Sequence, residues 1–428
     1  MQRSPAARHL TIFLRASLVT TAGNACAYLF QLLLARAVSP GEFGAVNVLL
    51  SLAMLITAPI AAAPAAISRL LINHGGSPEL FAALVQRIMV AGICIGGCVV
   101  ALYLPFAGFV EQTLHVGWLA AWVLTPILLA SILLYHVPLG LWQGQRSYNR
   151  LAVGAAGVPL IRFLTFAGVV IVFGGGIHSA LLALAAGGVV VFAIGVWSFR
   201  SALILAKPGQ FPDALRETLQ FSIPAVLMSV ALLGLTYIDQ PLVRAFNSPE
   251  SSGLYAAAST LSKIALLLPA ALINIVFPEA ASLARNQAAP TEESFRLIML
   301  ALGVTGGISA SAALVMTIEP ELCLRLLAGQ PYVAAAPILQ ILAPGMAMLA
   351  CVSLVVTYAL ARANYLLIVP LALSTPLIFA VCQFVRPDTR QMAWILFSAI
   401  AILLCFSITW LRLTHRRREA PIGKAMRQ

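Results

Sequence analysis

Two basic side chains lie inside long apolar stretches of this sequence, where no water is expected to solvate a charge. Arg162 and Lys263 each fall near the middle of such a stretch. A charge at the centre of a bilayer costs about 2.5–3.5 kcal/mol on insertion scales and is by default a functional hypothesis. Fixed cations at this depth can hold an anionic group while it crosses the membrane. The alternative for Arg162 is a structural bond to a backbone carbonyl or a hydroxyl.

No constellation typical of catalysis or metal binding accompanies these cations. The sequence has no HExxH motif, nucleophile elbow or Walker lysine loop. Its 6 histidines show no metal-ligand spacing, and its 7 cysteines fall mostly within the apolar stretches as small packing residues. We therefore predict no catalytic residues, no metal, no cofactor and no structural disulfide, in a protein that is not an enzyme.

The apolar stretches predict the elements that position these residues. Only 9% of residues are charged and 61% are hydrophobic, and the stretches recur from Leu10 almost to the C-terminus. About 20 apolar residues span a bilayer core as a helix, and continuous apolar runs favour helices over barrel strands, which alternate in polarity. We predict an all-α integral membrane protein with about twelve transmembrane helices, near residues 10–36, 43–70, 82–105, 117–141, 151–173, 178–200, 218–240, 252–280, 295–318, 333–361, 364–385 and 391–412.

The distribution of basic residues predicts how these helices are oriented. The chain carries 26 Lys and Arg against 14 Asp and Glu, and most of the basic residues fall in alternate connections and in the C-terminal tail. By the positive-inside rule, this asymmetry places both termini in the cytoplasm and favours an even number of spans. Because the net charge of +12 is spread over several loops, it suits anionic membrane lipids, and we expect no nucleic-acid binding.

A weak internal repeat relates the two halves of the chain at a constant offset. The matching pairs are Tyr28 and Tyr237, Gln31 and Gln240, and Ser39-Pro40 and Ser248-Pro249. They cluster around the turn between the first and second helix of each half. Because both repeats begin on the cytoplasmic side, they predict two parallel six-helix bundles, an arrangement typical of transporters. We place the bundles at residues 1–205 and 206–428, on either side of a polar link.

Glycine pairs and prolines indicate where helices approach each other or bend. The pairs Gly92-x-x-x-Gly96 and Gly303-x-x-x-Gly307 would permit close helix contacts. Several prolines fall inside the predicted spans, where each removes a backbone donor and tends to kink the helix. Kinked helices can form cavities, although proline is also common in membrane helices in general.

Two stretches resemble a known family of membrane proteins. The first reads Leu34-Ala-Arg-Ala-Val-Ser-Pro-Gly-Glu-Phe-Gly44, and the second contains Tyr237-Ile-Asp-Gln followed by Ser248-Pro-Glu-Ser-Ser-Gly-Leu-Tyr-Ala-Ala-Ala258. Both are similar to the polysaccharide flippase (Wzx-type oligosaccharide flippase) branch of the multidrug/oligosaccharidyl-lipid/polysaccharide exporter superfamily. The resemblance extends over the whole chain in span number, length and two-fold organisation.

The resemblance implies a V-shaped pair of bundles around a central cavity and a function in surface polysaccharide biosynthesis. Such proteins carry undecaprenyl-pyrophosphate-linked sugars from the cytoplasmic to the outer leaflet by alternating access, for exopolysaccharide or lipopolysaccharide. We accordingly expect a bacterial inner-membrane location, a lipid-linked oligosaccharide as cargo, and a polysaccharide polymerase and glycosyltransferases as partners. One chain supplies both halves, so a monomer is sufficient.

With this cargo, the polar residues within the predicted spans become candidates for substrate binding, which are Lys263, Arg162, Arg15, Arg69, Asn24 and Gln31. The two central cations would offset the desolvation of the pyrophosphate, and the resemblance places the eighth helix, which carries Lys263, at the cavity. The two arginines nearer the cytoplasmic ends of the first helices could gather headgroup phosphate or serve as topology residues. The two amides of the first helix could bind sugar hydroxyls or neighbouring helices.

The candidate gating or coupling residues are Asp239, Arg36, Arg244 and Glu279. Asp239 is the one acidic residue that we place at the edge of a span. A carboxylate partly withdrawn from water could carry a coupling proton, or it could pair with Arg244 or Arg36 at the outer mouth and latch the halves. Glu279 is expected to end the eighth helix at the cytoplasm and to pair with basic residues there as an inner gate.

Three other functions remain as alternatives. An ion-coupled multidrug exporter would need a buried acid in the N-terminal half, which offers only Glu42, Glu79 and Glu111, all near loops. A membrane glycan polymerase or ligase, which is an enzyme, needs a large external loop, and the external loops here are short. A purely structural membrane protein would assemble normally without supporting transport.

Overall fold

The computed structural model describes residues 5–205, 214–269, 292–362 and 364–425, and every regular element in these ranges is helical. The first of the ranges contains α1 (Pro5–Ala37), α2 (Pro40–Thr57), α3 (Ala63–His74), α4 (Pro78–Tyr103), α5 (Ala107–Leu114), α6 (Thr125–Gly144), α7 (Tyr148–Phe173), α8 (Ile177–Ser198) and α9 (Arg200–Leu205). The later ranges contain α10 (Ala214–Tyr237), α11 (Asp239–Phe246), α12 (Pro249–Leu267), α13 (Glu292–Ile318), α14 (Pro320–Leu327), α15 (Ala336–Ala361), α16 (Ile368–Val385) and α17 (Thr389–Ala425).

The described helices are those of a multi-pass membrane protein. In the described ranges, 9 helical segments are long and apolar enough to cross a membrane, and a bent pair, Ser222–Tyr237 with Asp239–Phe246, makes up to 10. Two other long helices, α1 with 33 residues and α12 with 19, lie where the first and eighth spans are predicted. The predicted all-α integral membrane fold is therefore confirmed.

The chain divides into two compact units, Met1–Ser229 (unit 1) and Val230–Gln428 (unit 2). In unit 1, α6 is the central helix and packs against α3, α4 and α8, while α7 packs against α1 and α8. In unit 2, α15 is the central helix and packs against α12, α13 and α17. The division between the units lies within α10, whereas the predicted boundary at 205/206 adjoins a segment outside the described residues and stays a prediction.

The seventh predicted span ends in a break followed by a second, short helix. The sequence predicts a span that stops near residue 240, with Asp239 at its edge. In the structure α10 ends at Tyr237, and α11 continues for 8 residues after a bend of 41°. Asp239 therefore lies at the break between α10 and α11, and its predicted place at the edge of a span stays a prediction.

The turn that carries the internal repeat has the same local structure in each unit. Ser39 and Ser248 are the N-cap residues of α2 and α12, with φ and ψ of −65° and 157° in one and −62° and 155° in the other. Each is followed by a proline, which suits the first helical position because its missing N–H would be unpaired there anyway. The Ser39 hydroxyl caps the N–H of Glu42, and the Ser248 hydroxyl caps that of Ser251.

Candidate functional site

A group of buried polar side chains lies inside unit 2, where the end of α10 and the start of α11 meet α12. We call this group the unit 2 polar cluster, and its members are Tyr237, Asp239, Gln240, Tyr255, Ser259 and Lys263. It includes both an acid and a base, with Asp239 0% exposed and Lys263 7% exposed. Two opposite charges this deeply buried require compensation within the protein.

The carboxylate of Asp239 is only partly satisfied by its neighbours. The Ser259 hydroxyl donates to its Oδ2 atom over 2.9 Å, and the Gln240 amide donates to the Ser259 oxygen over 3.3 Å. The other carboxylate oxygen, Oδ1, and the hydroxyl of Tyr255 make no hydrogen bond of full geometry. The two groups nevertheless lie close enough to interact, with the hydroxyl as donor and the carboxylate as acceptor. The cluster therefore holds Asp239 firmly through Ser259 and more loosely through Tyr255.

Two neighbours stabilise the Lys263 ammonium, the aromatic ring of Tyr237 and the negative charge of Asp239. Its Nζ atom lies 4.3 Å from the centroid of the Tyr237 ring, a cation–π contact that is worth about 2 kcal/mol when desolvated. The carboxylate of Asp239 acts on this ammonium through its charge. Among the described residues, no hydrogen bond involves the ammonium. Its three N–H donors are therefore available to an acceptor that reaches them.

Helix geometry explains how the sequence brings these groups together. Ser259 and Lys263 are four residues apart on α12, so they lie on one face of that helix. Tyr237 and Asp239 flank the bend at Ile238, and this places the ring and the carboxylate on opposite sides of the break. The sequence signals of the cluster are the four-residue spacing of Ser259 and Lys263 and the two-residue spacing of Tyr237 and Asp239. A hydropathy profile does not detect them. The roles of Tyr255, Ser259 and Gln240 were not predicted.

The two halves of the chain differ sharply at the positions of this cluster. Ser39 and Ser248 are equivalent N-caps, and the same offset relates Tyr28 to Tyr237 and Gln31 to Gln240. At that offset, the unit 1 counterparts of Asp239, Tyr255, Ser259 and Lys263 are Phe30, Val46, Leu50 and Met54. The same turn and helices thus form in unit 1 with apolar residues at these positions. The charges of the unit 2 cluster are therefore not a requirement of the helical scaffold.

Arg162, the other predicted central cation, has a structural partner within unit 1. Its Nε atom donates to the carbonyl oxygen of Leu184 over 2.9 Å and so joins α7 to α8. Gly187 makes room for it, because a Cβ atom there would lie 2.9 Å from Cγ of Arg162. The structure favours the structural interpretation of Arg162, while its predicted substrate contact stays a prediction.

Two side chains near Arg162 had no predicted role. The rings of Tyr135 and His136 stack with centroids 4.2 Å apart, and Arg162 acts on both through its charge. Nδ1 of His136 lies 2.6 Å from the carbonyl oxygen of Ile132 and donates to it. Sequence spacing does not reveal this group, because it forms only when α6 packs beside α7.

Arg244 serves the connection between α11 and α12. It is 2% exposed, and its Nη1 atom donates to the carbonyl oxygen of Pro249 over 3.1 Å and to the Ser252 hydroxyl over 2.9 Å. Asp239 is bonded to Ser259 instead, so the predicted pair between Asp239 and Arg244 is not formed in the described structure. Arg244 is bonded to Pro249 and Ser252 in the connection between α11 and α12, and not to Asp239.

We expect replacement of Arg244 by Ala to destabilise the protein by about 1–3 kcal/mol, because it leaves a buried carbonyl and a hydroxyl without their donor. The apparent melting temperature of the purified protein in detergent measures this loss. Arg325→Ala, at an exposed position in the last turn of α14, is the control and should melt close to wild type. Loss of transport by Arg244→Ala with unchanged melting would instead restore its predicted gating role.

The remaining predicted residues lie apart from the unit 2 cluster or outside the described side chains. In unit 1, Asn24 is exposed, Arg69 is half-buried, and Gln31 is half-buried with its Oε1 atom unpartnered. The side chain of Arg15 and the whole of Glu279 lie outside the described part of the structure. A pair between Asp239 and Arg36 would join the two units and stays a prediction.

A cavity in unit 1 does not involve any of the predicted site residues. It has a volume of about 480 Å³ and is lined by Leu71, Gly75, Phe81, Gly144, Gln145, Ser147 and Arg150. These residues lie at the α3–α4 and α6–α7 connections, on the predicted cytoplasmic side. In the described ranges, no group of three or more His, Cys, Asp or Glu could hold a metal ion.

Comparison of the sequence with known families gives one match. A family model described as polysaccharide biosynthesis protein matches residues 13–284, which is more than half of the chain. No curated protein sequence matches the chain.

Comparison of the fold with solved structures finds membrane transporters. An inward-facing multidrug resistance MATE family transporter of the MOP superfamily matches with a TM-score of 0.74 at 12% identity, covering 95% of this chain and 99% of that chain. The lipid II flippase MurJ, in an inward closed conformation, matches with a TM-score of 0.72 at 13% identity, covering 93% and 87%. A MOP superfamily transporter from Pyrococcus furiosus Vc1 (DSM3638) matches with a TM-score of 0.68 at 13% identity, covering 94% and 95%. At these identities the likeness is one of fold.

Proposed function

Because the chain belongs to the polysaccharide biosynthesis protein family, we propose that it is a flippase for a polyprenyl-(pyro)phosphate-linked oligosaccharide. It moves this cargo from the cytoplasmic to the outer leaflet by alternating access, for surface polysaccharide biosynthesis. The family and the fold support a transporter role in general. The observation that carries the specific proposal is the buried Lys263 ammonium, whose donors meet no acceptor among the described residues.

The chemistry of the cargo fits this lysine. A lipid-linked oligosaccharide has an apolar tail that stays in the bilayer and a pyrophosphate that must cross it. Lys binds phosphate as a point charge, and a charge in a low-dielectric setting attracts an anion far more strongly than in water. A single ammonium inside unit 2 therefore lowers the cost of desolvating the pyrophosphate.

The acids of unit 1 argue against the drug-exporter alternative. Export of amphipathic cations in exchange for ions calls for a buried acid that is free to titrate. Glu42 completes the cap of α2, and Glu111 accepts a hydrogen bond from the Trp122 indole over 2.9 Å. Glu79 lies in the exposed first turn of α4. Each acid of unit 1 whose side chain is described is thus at a helix end or in a local bond.

The proposal is tested by deleting the gene and analysing the lipids. We expect undecaprenyl-linked oligosaccharide to accumulate on the cytoplasmic leaflet while surface glycan disappears. Wild type should restore export, whereas Lys263→Ala, compared at equal membrane levels, should not. Met54→Ala is the matched control, since it truncates the equivalent side chain of unit 1 without removing a charge.

The opposite outcomes are equally informative. Export by Lys263→Ala at the wild-type rate would remove Lys263 from the mechanism. Absence of accumulation, together with new sensitivity to small cationic toxins, would overturn the flippase proposal in favour of drug export.

Location and partners complete the proposal. We place the protein in the bacterial inner membrane with both termini in the cytoplasm, which is supported by the many apolar helices and by the basic connections. The glycosyltransferases that build the cargo and the polymerase that uses it are proposed partners. Reporter fusions at the two termini test the orientation directly.

A further inference from the structure

The charged pair in the unit 2 polar cluster is arranged unusually for two buried charges. One carboxylate oxygen of Asp239 accepts a hydrogen bond from Ser259 and the carboxylate also faces the Tyr255 hydroxyl, while the Lys263 ammonium lies over the Tyr237 ring. Among the described residues, the acid and the base compensate each other by charge without a hydrogen bond between them. Such a pair is easier to separate than one joined by two bonds, because fewer directional contacts must break.

An anion that reaches Lys263 would compete with Asp239 for the same cation. A buried charge that loses its counter-charge is strongly destabilised, so the ammonium favours whichever anion approaches most closely. A pyrophosphate carries more charge than one carboxylate and offers several acceptor oxygens to the three unused N–H donors. We propose that Lys263 exchanges partners during transport. The pyrophosphate of the cargo replaces the Asp239 carboxylate as the counter-ion of the Lys263 ammonium. This inference rests on the proposed function, because the competing anion is the headgroup of that cargo.

The bend in the seventh span offers a way to transmit the exchange. Tyr237 and Asp239 stand on either side of the 41° bend, and both act on Lys263. A helix break of this kind can absorb a change of backbone angle, as hinges do. When Asp239 no longer pairs with Lys263, the electrostatic attraction between α11 and α12 weakens. The angle of the bend between α10 and α11 can then change.

The comparison of the two halves limits this device to unit 2. The unit 1 counterparts of Asp239 and Lys263 are Phe30 and Met54, and Phe30 packs against Phe166 with ring centroids 5.3 Å apart. At the position equivalent to Asp239, unit 1 therefore makes an apolar contact instead of carrying a charge. At these equivalent positions of the described helices, the exchange is therefore confined to unit 2, and one headgroup suffices to drive it.

Binding of farnesyl pyrophosphate to the full-length protein in detergent tests the exchange. Asp239→Asn removes the competing charge while keeping the shape of the side chain. We expect it to bind this probe about tenfold more tightly than wild type, within the range typical of coupled sites. The gain should vanish in the Asp239→Asn/Lys263→Ala double variant, since the two residues act on one ligand. Glu250→Gln, an exposed charge change in the first turn of α12, is the matched control.

Transport by the same variant gives a second measurement. We expect Asp239→Asn to lower both KM and kcat for flipping, because cargo binds more tightly and nothing displaces it. A merely structural role for Asp239 would lower kcat without tightening binding. Farnesol, which lacks the pyrophosphate, should bind wild type and Asp239→Asn equally.

The outcomes separate this inference from the proposed function. If wild type flips lipid-linked oligosaccharide but Asp239→Asn binds farnesyl pyrophosphate no more tightly, the exchange is wrong and the flippase stands. If wild type flips the cargo without binding farnesyl pyrophosphate, the exchange is again overturned. If wild type exports cationic drugs and flips no lipid, the proposed function fails and the exchange fails with it.

Discussion

Replacement of Lys263 by Ala is expected to lower the free energy of unfolding by about 3–5 kcal/mol, because it leaves a buried carboxylate without its counter-charge. Asp239 is fully buried, and its hydrogen bond from Ser259 satisfies only one of its oxygens. Loss of the Tyr237 contact adds to the effect. The apparent melting temperature in detergent, together with the yield of monodisperse protein, measures the change.

The double variant Asp239→Asn/Lys263→Ala separates stability from transport. With both charges removed, no uncompensated charge remains, so most of the lost stability should return. Flipping should not return, because the cation that binds the cargo is still missing. If the double variant melts as low as Lys263→Ala alone, the two residues do not compensate each other. If it flips cargo normally, the cluster is only structural.

The transmembrane helices could be predicted from sequence because lipid leaves the chain few alternatives. Every backbone polar group in the hydrocarbon must be bonded within the chain, so a long apolar run forms a helix whatever it packs against. The N-caps at Ser39 and Ser248 are equally local, since each is a Ser-Pro pair in the repeated turn. These are local rules, and they require no knowledge of neighbouring helices.

The site could be predicted only where it depends on such local rules. Lys263 stands out because a charge in an apolar run is costly wherever the helix lies. The bond from Arg162 to Leu184 depends on how α7 packs against α8. The position of Asp239 depends on a bend that resembles a helix end in the sequence. Hydropathy therefore identifies the charged residues of the chain but not their partners.

Close helix contacts show the same limit, since glycine spacing alone does not locate them. Of the two predicted Gly-x-x-x-Gly pairs, Gly92 does approach a neighbouring helix, with Val137 2.5 Å from a Cβ built there. Gly303 and Gly307 have no side chain or backbone of another element within 4 Å of such a Cβ. Gly187 and Gly188, which form no such pair, approach the backbone of neighbouring helices closely, with a carbonyl oxygen 2.4 Å and 2.6 Å from a Cβ atom placed there.

Gly188 is therefore a position where a side chain should severely damage unit 1. A Cβ atom there would lie 2.6 Å from the carbonyl oxygen of Ser131 and 2.9 Å from its carbonyl carbon. These are backbone atoms of the central helix α6, so they cannot turn away as a flexible side chain would. We expect Gly188→Val to force α8 away from α6 and to abolish the folded protein, at a cost above the roughly 1–3 kcal/mol of ordinary overpacking.

Size-exclusion chromatography of the detergent-extracted protein measures this loss, with Gly97→Val as the matched control. Gly97 is an exposed position of α4, and a Cβ there meets nothing within 4 Å. The two variants make the same change in helix propensity, so a difference between them reports the helix contact alone. A Gly188→Val protein that elutes and melts like wild type would mean that α6 and α8 are not in contact at this point. The packing that holds Arg162 on Leu184 would then need another explanation, because that bond joins α7 to the same helix α8.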